Sequence, residues 1–90
     1  MKKYSVKITK KAEKMIDKLD KQTASRIRNF INVKLEGCEN PRFDGIPLVG
    51  NLHGNWRYRV GDYRIIAKIE DDKILITIVK IDHRRQSYSR

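Results

Sequence analysis

The sequence predicts an α+β domain: one strand, two helices, then an antiparallel meander of three strands, with both helices packed on one face of the sheet. Three observations predict it. "KYSVKIT" alternates apolar and polar residues with a period of two, as a half-buried strand does. The stretch up to Gly37 carries two apolar stripes at helical spacing. The last third returns to β-branched alternation, punctuated by Gly61-Asp62 and Asp71-Asp72. Ninety residues leave room for one core, so residues 1–90 read as a single domain.

In the first strand, residues 3–9, Tyr4, Val6 and Ile8 share one face and Lys3, Ser5 and Lys7 the other. Thr9 suits an N-cap for the following helix, which aligns Ala12, Met15, Ile16 and Leu19 and leaves lysines and Glu13 outside. Asp20 caps a second helix running to about Gly37, a residue that suits a helix stop. Its inner stripe is Ala24, Ile27, Phe30, Ile31 and Leu35. Residues 38–51 hold both prolines and several turn formers, and read as a long surface connection. Strands follow at about 55–60, 63–70 and 73–81, joined by short hairpin turns.

Charge is the strongest compositional signal. There are 21 Lys and Arg against 11 Asp and Glu, a net charge of +10. So basic a domain suggests a polyanionic partner, nucleic acid first and an acidic protein second. The lysines of residues 10–21 read as a solvated helix face that could also meet RNA phosphates.

Cys38 is the one cysteine, so no disulfide staple is available, and with the charged start "MKKYSVKITKK" it points to the reducing cytoplasm. The longest apolar-rich run, "KILITIVKI", falls far short of the ~20 residues a membrane helix needs. A membrane partner is not expected. Asp71-Asp72 reads as a turn rather than a metal site, since no clustered His or Cys accompanies it; neither metal nor cofactor is expected. His53 reads as a loop residue, and Cys38 as an inert thiol with no His/Asp arrangement around it.

A two-residue turn at Gly61-Asp62 sets Val60 against Tyr63, Arg59 against Arg64, Tyr58 against Ile65 and Arg57 against Ile66. Trp56, Tyr58, Val60, Tyr63, Ile65 and Ala67 then face the helices, and Arg57, Arg59, Arg64 and Lys68 face away. Carried across Asp71-Asp72, the register adds Leu75, Thr77 and Val79 to the cationic face and Ile74, Ile76 and Ile78 to the helix face. Like charges directly opposite one another destabilise a sheet, so the pairing of Arg59 with Arg64 implies an anion that they meet. Arginine's planar fork suits phosphate. The bland reading is an outer face whose arginines splay into water.

The last strand ends near the Gly61-Asp62 turn, so the chain beyond Ile81 is expected to emerge close to Arg59 and Arg64 with His83, Arg84 and Tyr88. His83 supplies an imidazole, Arg84 adds a fork, and Tyr88 offers a ring and a hydroxyl. That is a reasonable kit for cutting RNA without metal. The 2′-hydroxyl is an internal nucleophile, the phosphorane needs cationic donors, and the leaving 5′-oxygen needs a proton.

Two stretches resemble a known family. "WRYRVGDYRI" is similar to the basic hairpin of the RelE/ParE superfamily of bacterial toxins, and "HRRQSY" to its terminal His-Arg…Tyr set. Within that superfamily the chain looks most like the ribosome-dependent RelE-like mRNA interferases of type II toxin–antitoxin systems. The resemblance implies that Arg57 and Arg59 match the basic pair on the family's second strand. It also implies that Arg64 matches the arginine after the turn, and that His83, Arg84 and Tyr88 match the terminal set. It further implies an endoribonuclease that enters the 70S ribosome, contacts rRNA and cuts mRNA in the A site, leaving a 2′,3′-cyclic phosphate. A cognate acidic, RelB-like antitoxin would neutralise it, and operator DNA would be met only through the antitoxin complex. Some members carry lysines where this chain has Arg57 and Arg59; arginine effectively cannot lose its proton, which leaves His83 the best-matched acid or base and the arginines as electrostatic stabilisers. Asp82 stands where relatives often place glycine. Two other functions fit the fold: a ParE-like inhibitor of DNA gyrase, and a non-catalytic RNA- or ribosome-binding module.

Overall fold

The computed structural model describes residues 2–50 and 54–83. In chain order the elements are β1 (Ser5–Ile8), α1 (Lys10–Asp17), α2 (Lys21–Phe30), a π-helical turn (Ile31–Leu35), β2 (Ile46–Pro47), β3 (Asn55–Val60), β4 (Tyr63–Glu70) and β5 (Leu75–His83). The strands form one sheet in the order β1-β5-β4-β3-β2. β1 runs parallel to β5, with Val6 beside Ile76 and Ile8 beside Ile78, and every other pairing is antiparallel. The α+β class, the two helices and the meander are as the sequence predicts.

Both helix starts follow from their caps. Thr9 accepts a hydrogen bond from the Ala12 amide at 3.1 Å, and Asp20 one from the Thr23 amide at 3.1 Å, each satisfying a donor that the first helical turn leaves without a partner. Arg28 then ties α2 to α1 through Glu13 and Asp17. The second helical stretch ends at the expected place but not in the expected form. Ile27, Ile31 and Leu35, all buried, recur at a fixed interval of four, which would drift around a plain α-helix by about 40° per step. The wider π turn, closed by the Glu36 amide donating to the Ile31 carbonyl at 2.8 Å, keeps that stripe over the sheet.

The core lies between one sheet face and the helices. Tyr58, Ile65, Ala67, Ile76, Ile78 and Ile81 meet Ala12, Ile16, Ile27, Ile31 and Leu35. Each buried isoleucine or leucine contributes about 1.5–3 kcal/mol relative to exposure.

Residues 38–51 are more than a surface connection. Ile46 and Pro47 form the edge strand β2 against Arg57 and Trp56. Two residues are too short to show alternation, and proline is tolerated because an edge strand has a side with no ladder to join. The segment before it covers the inner side of β3. The buried Tyr58 hydroxyl donates to the Pro41 carbonyl, and a side chain on Gly45 would come within 3.0 Å of the Tyr58 ring. Arg42 grips Asp71 with two hydrogen bonds of 3.0 and 2.9 Å while its guanidinium lies 5.5 Å from the centre of the Trp56 ring.

The β4–β5 connection also differs from expectation. Glu70 pairs with Leu75, so the turn holds residues 71–74 rather than Asp71-Asp72 alone, and Ile74 adopts a positive φ of 51°. The change moves the register by two, which returns the side chains near the turn to their expected faces.

Candidate nucleic-acid interface on the outer face of the sheet

The hairpin at Gly61-Asp62 forms as the sequence predicts. Gly61 has a φ of 60°, favoured by glycine, and Arg26 of α2 packs against it so closely that a Cβ there would sit 3.3 Å from the guanidinium. The register follows: Val60 with Tyr63, Arg59 with Arg64, Tyr58 with Ile65, Arg57 with Ile66. Tyr58 and Ile65 are fully buried against the helices, which turns Arg57, Arg59, Arg64 and Lys68 to the outer face. Arg59 is exposed, whereas Arg64, on the next strand inward, is only 6% accessible.

A β-bulge then changes what β5 adds. Ala67 pairs with Ile78 but Ile66 pairs with Lys80, so Val79 is the extra residue. Before the bulge Leu75 and Thr77 face outward, as expected. Beyond it the alternation is inverted: Lys80 and Asp82 face outward, while Ile81 and His83 face the helices. Two rows now cross the outer face, Asp82–Arg64–Arg59 and Lys80–Ile66–Arg57. Lys80 Nζ lies 3.5 Å from Asp82. From β1, Lys7 joins the same face beside Thr77. The like-charged pair of Arg59 and Arg64 thus has an acid on its far flank, which offsets part of the repulsion.

The expectation for His83 needs correction. The strand does end beside the hairpin turn, with His83 across from Tyr63, but paired residues share a face, and Tyr63 faces the helices. The His83 ring meets the edge of the Tyr63 ring at 4.9 Å and 86°, in a cleft lined also by Met15, Lys18, Leu19 and Ile81. It is therefore on the opposite side of the sheet from Arg59 and Arg64, because the bulge shifts the phase by one. Arg84 and Tyr88 lie outside the described residues, as does His53.

Sequence reading left Lys80 out of the outer face. The signal was present: isoleucines stand at 74, 76 and 78 and then at 81, an interval of three where two is expected. Among the described residues no group of three or more His, Cys, Asp or Glu could hold a metal ion, and no helix is long and apolar enough to cross a membrane.

The strand–helix–helix–meander order with a short edge strand is the fold seen in solved RelE-type toxins. The family model described as ParE toxin of type II toxin-antitoxin system, parDE, matches residues 6–88, and the chain belongs to that family. Toxin RelG of Mycobacterium tuberculosis is 30% identical over 87 residues, covering 97% of this chain and 98% of its own length. Toxin RelE of the same organism is 33% identical over 85 residues, 94% of this chain and 86% of its own. Among solved structures, the RelBE2 toxin–antitoxin complex of M. tuberculosis superposes with a TM-score of 0.83 at 30% identity, over 93% of this chain and 94% of that one.

Proposed function

We propose that this toxin is a ribosome-dependent endoribonuclease that cuts mRNA in the ribosomal A site and so stops translation. The observation that carries the reading is the outer-face cluster, with Arg59 directly across from Arg64 and Arg57 beside them. Three guanidiniums on one rigid hairpin supply fixed cationic donors for a phosphorane, whose extra negative charge forms only in the transition state.

In the reaction, the 2′-oxygen attacks the adjoining phosphorus and loses its proton, the bond to the 5′-oxygen breaks, and that oxygen gains a proton. A 2′,3′-cyclic phosphate remains. Arg57, Arg59 and Arg64 serve as stabilisers, since an arginine keeps its proton. Arg84 and Tyr88 complete the site from the tail, Tyr88 by stacking on a base or through its hydroxyl. With the His83 ring beside Tyr63 on the helix side, this reading assigns the proton transfers to the tail or to ribosomal groups. The reaction as written calls on no metal or cofactor.

The partners under this reading are the 70S ribosome with its mRNA and rRNA, and a cognate acidic antitoxin in the cytoplasm. Operator DNA is met only through the antitoxin complex. A second reading, inhibition of DNA gyrase by protein contact, draws support from the ParE description of the matching family model.

Primer extension on mRNA bound to stalled 70S ribosomes tests the choice. Cuts within the A-site codon are expected, falling about 10²–10³-fold in Arg59→Ala and Arg84→Ala proteins, as for the loss of one preorganised donor. Intact mRNA from folded protein, with inhibition in a supercoiling assay, would move the assignment to gyrase.

A further inference from the structure

We propose that Lys80 is a further phosphate contact of the outer face, and that Asp82 holds its place as an internal anion that the RNA phosphate displaces. The inference rests on the endoribonuclease reading above and extends it to residues that the sequence pattern assigned to no role.

The geometry is the bulge. If Val79 took the ladder position across from Ile66, Lys80 would point into the helix layer; because Val79 is bulged out, Lys80 stands across from Ile66, which is itself across from Arg57. Adjacent strands lie about 4.8 Å apart, so Lys80 and Arg57 flank the centre of the sheet at about 10 Å, with the buried Ile66 as the floor between them. Consecutive phosphates of a single strand crossing that floor can be reached from both sides.

Asp82 is the unusual member. It is the carboxylate that the two crossing rows contain, set directly across from Arg64 and 3.5 Å from Lys80 Nζ. Its side chain is 14% accessible, against 39% for Lys80, so the lysine end of the pair remains open to solvent. The Lys80–Asp82 pair contributes little to stability, because its lysine end is open to water and 3.5 Å is longer than a close charge-assisted hydrogen bond. A phosphate brings more negative charge and more acceptors to the same cations. Exchange of carboxylate for phosphate therefore costs the fold little, and the carboxylate keeps Lys80 directed across the face until RNA arrives.

The two residues should then respond in opposite directions, which a purely structural role does not produce. The experiment measures binding of a short single-stranded 2′-O-methyl RNA by fluorescence anisotropy across a salt series. This probe offers the phosphates but lacks the attacking hydroxyl, so binding is read apart from cleavage. Lys80→Ala is expected to weaken binding several-fold at low salt and to reduce the slope of log affinity against log salt by about 0.7, the loss of one phosphate contact to a single strand. Lys80→Arg is expected to retain the slope. Asp82→Asn is expected to tighten binding several-fold, and to lose most of that gain when Lys80 is also alanine. Lys73→Ala, which removes a lysine paired with Glu70 at the far end of the sheet, is the control and should differ from wild type in neither respect.

A Lys80→Ala protein indistinguishable from the Lys73→Ala control, or an Asp82→Asn protein that binds more weakly, would overturn the proposal while leaving the wider reading in place. A wild-type protein that shows no salt-dependent binding of this RNA would also overturn the proposal, while the ribosome-dependent reading stands or falls separately on A-site cleavage in the primer-extension assay. Urea midpoints for each variant separate unfolding from lost contact, and Lys80→Gln replaces Lys80→Ala if the shorter side chain unfolds the strand.

Discussion

Asp71 shows how much of this fold hangs on single side chains. Its carboxylate accepts two hydrogen bonds from Arg42 and one of 2.6 Å from the Tyr4 hydroxyl, so it joins the start of the chain, the segment covering β3 and the β4–β5 turn. The Arg42 hydrogen bonds, and then that of Tyr4, hold its pKa below the usual 3.8. A carboxyl whose folded pKa is depressed adds stability above its unfolded pKa and loses it as pH falls through the folded value. The relevant window therefore lies below the ordinary value of 3.8. Asp20, whose pKa is lowered chiefly by the Thr23 hydroxyl and amide, acts in the same window through the α2 cap. Asp71→Asn should lower the urea midpoint at neutral pH and make its decline below about pH 4 less steep than in wild type. Parallel declines in the two proteins would mean that the clasp leaves Asp71 unshifted. None of this was legible in the sequence, where Asp71 stood only as a turn residue and Arg42 as part of a loop. Their meeting spans 29 positions and depends on the tertiary fold.

Among the elements, β5 carries the most information about the site, and its bulge is the reason. The period-two pattern correctly placed both halves of the β3–β4 hairpin, because the Gly61-Asp62 turn fixes that register over a short distance. It also survived the misread turn at 71–74, since a shift of two keeps every side chain on its face. What it could not survive was a shift of one. Val79 alone moves Lys80 and Asp82 outward and takes His83 away from the arginines. Deleting Val79 should leave a regular strand, with Ile78 and Lys80 adjacent and still across from Ala67 and Ile66, so that Lys80 and Asp82 stay outward and Ile81 stays buried. The deletion protein is therefore expected to keep a cooperative urea transition and the outward position of Lys80. Loss of that transition would mean that the local twist of the bulge, and not only its register, is needed by the fold.

At the scale of the whole molecule, charge and packing divide the two sides of the sheet between them. The apolar residues on the inner face of the sheet pack with those of α1 and α2 in one core, and many of the cations are left for the outer face and the helix surfaces. The surplus of cations, though not the face it takes, was readable from composition, where a net charge of +10 on 90 residues suggests a polyanionic partner. A charge distribution of this kind acts on association more than on folding. Under the proposed function it would draw an acidic antitoxin or an RNA surface inward over about a Debye length, ~30 Å at 0.01 M salt and ~8 Å at physiological ionic strength. Raising salt from about 50 mM to about 500 mM should therefore slow association with the cognate antitoxin by tenfold or more, while dissociation changes much less. The urea midpoint should move little over the same range, since the core rather than ion pairs sustains the fold. Stopped-flow association rates beside urea titrations measure both quantities on one preparation. An association rate indifferent to salt would show that the outer-face cations are screened by local partners such as Asp82, so that recognition begins at apolar contacts instead.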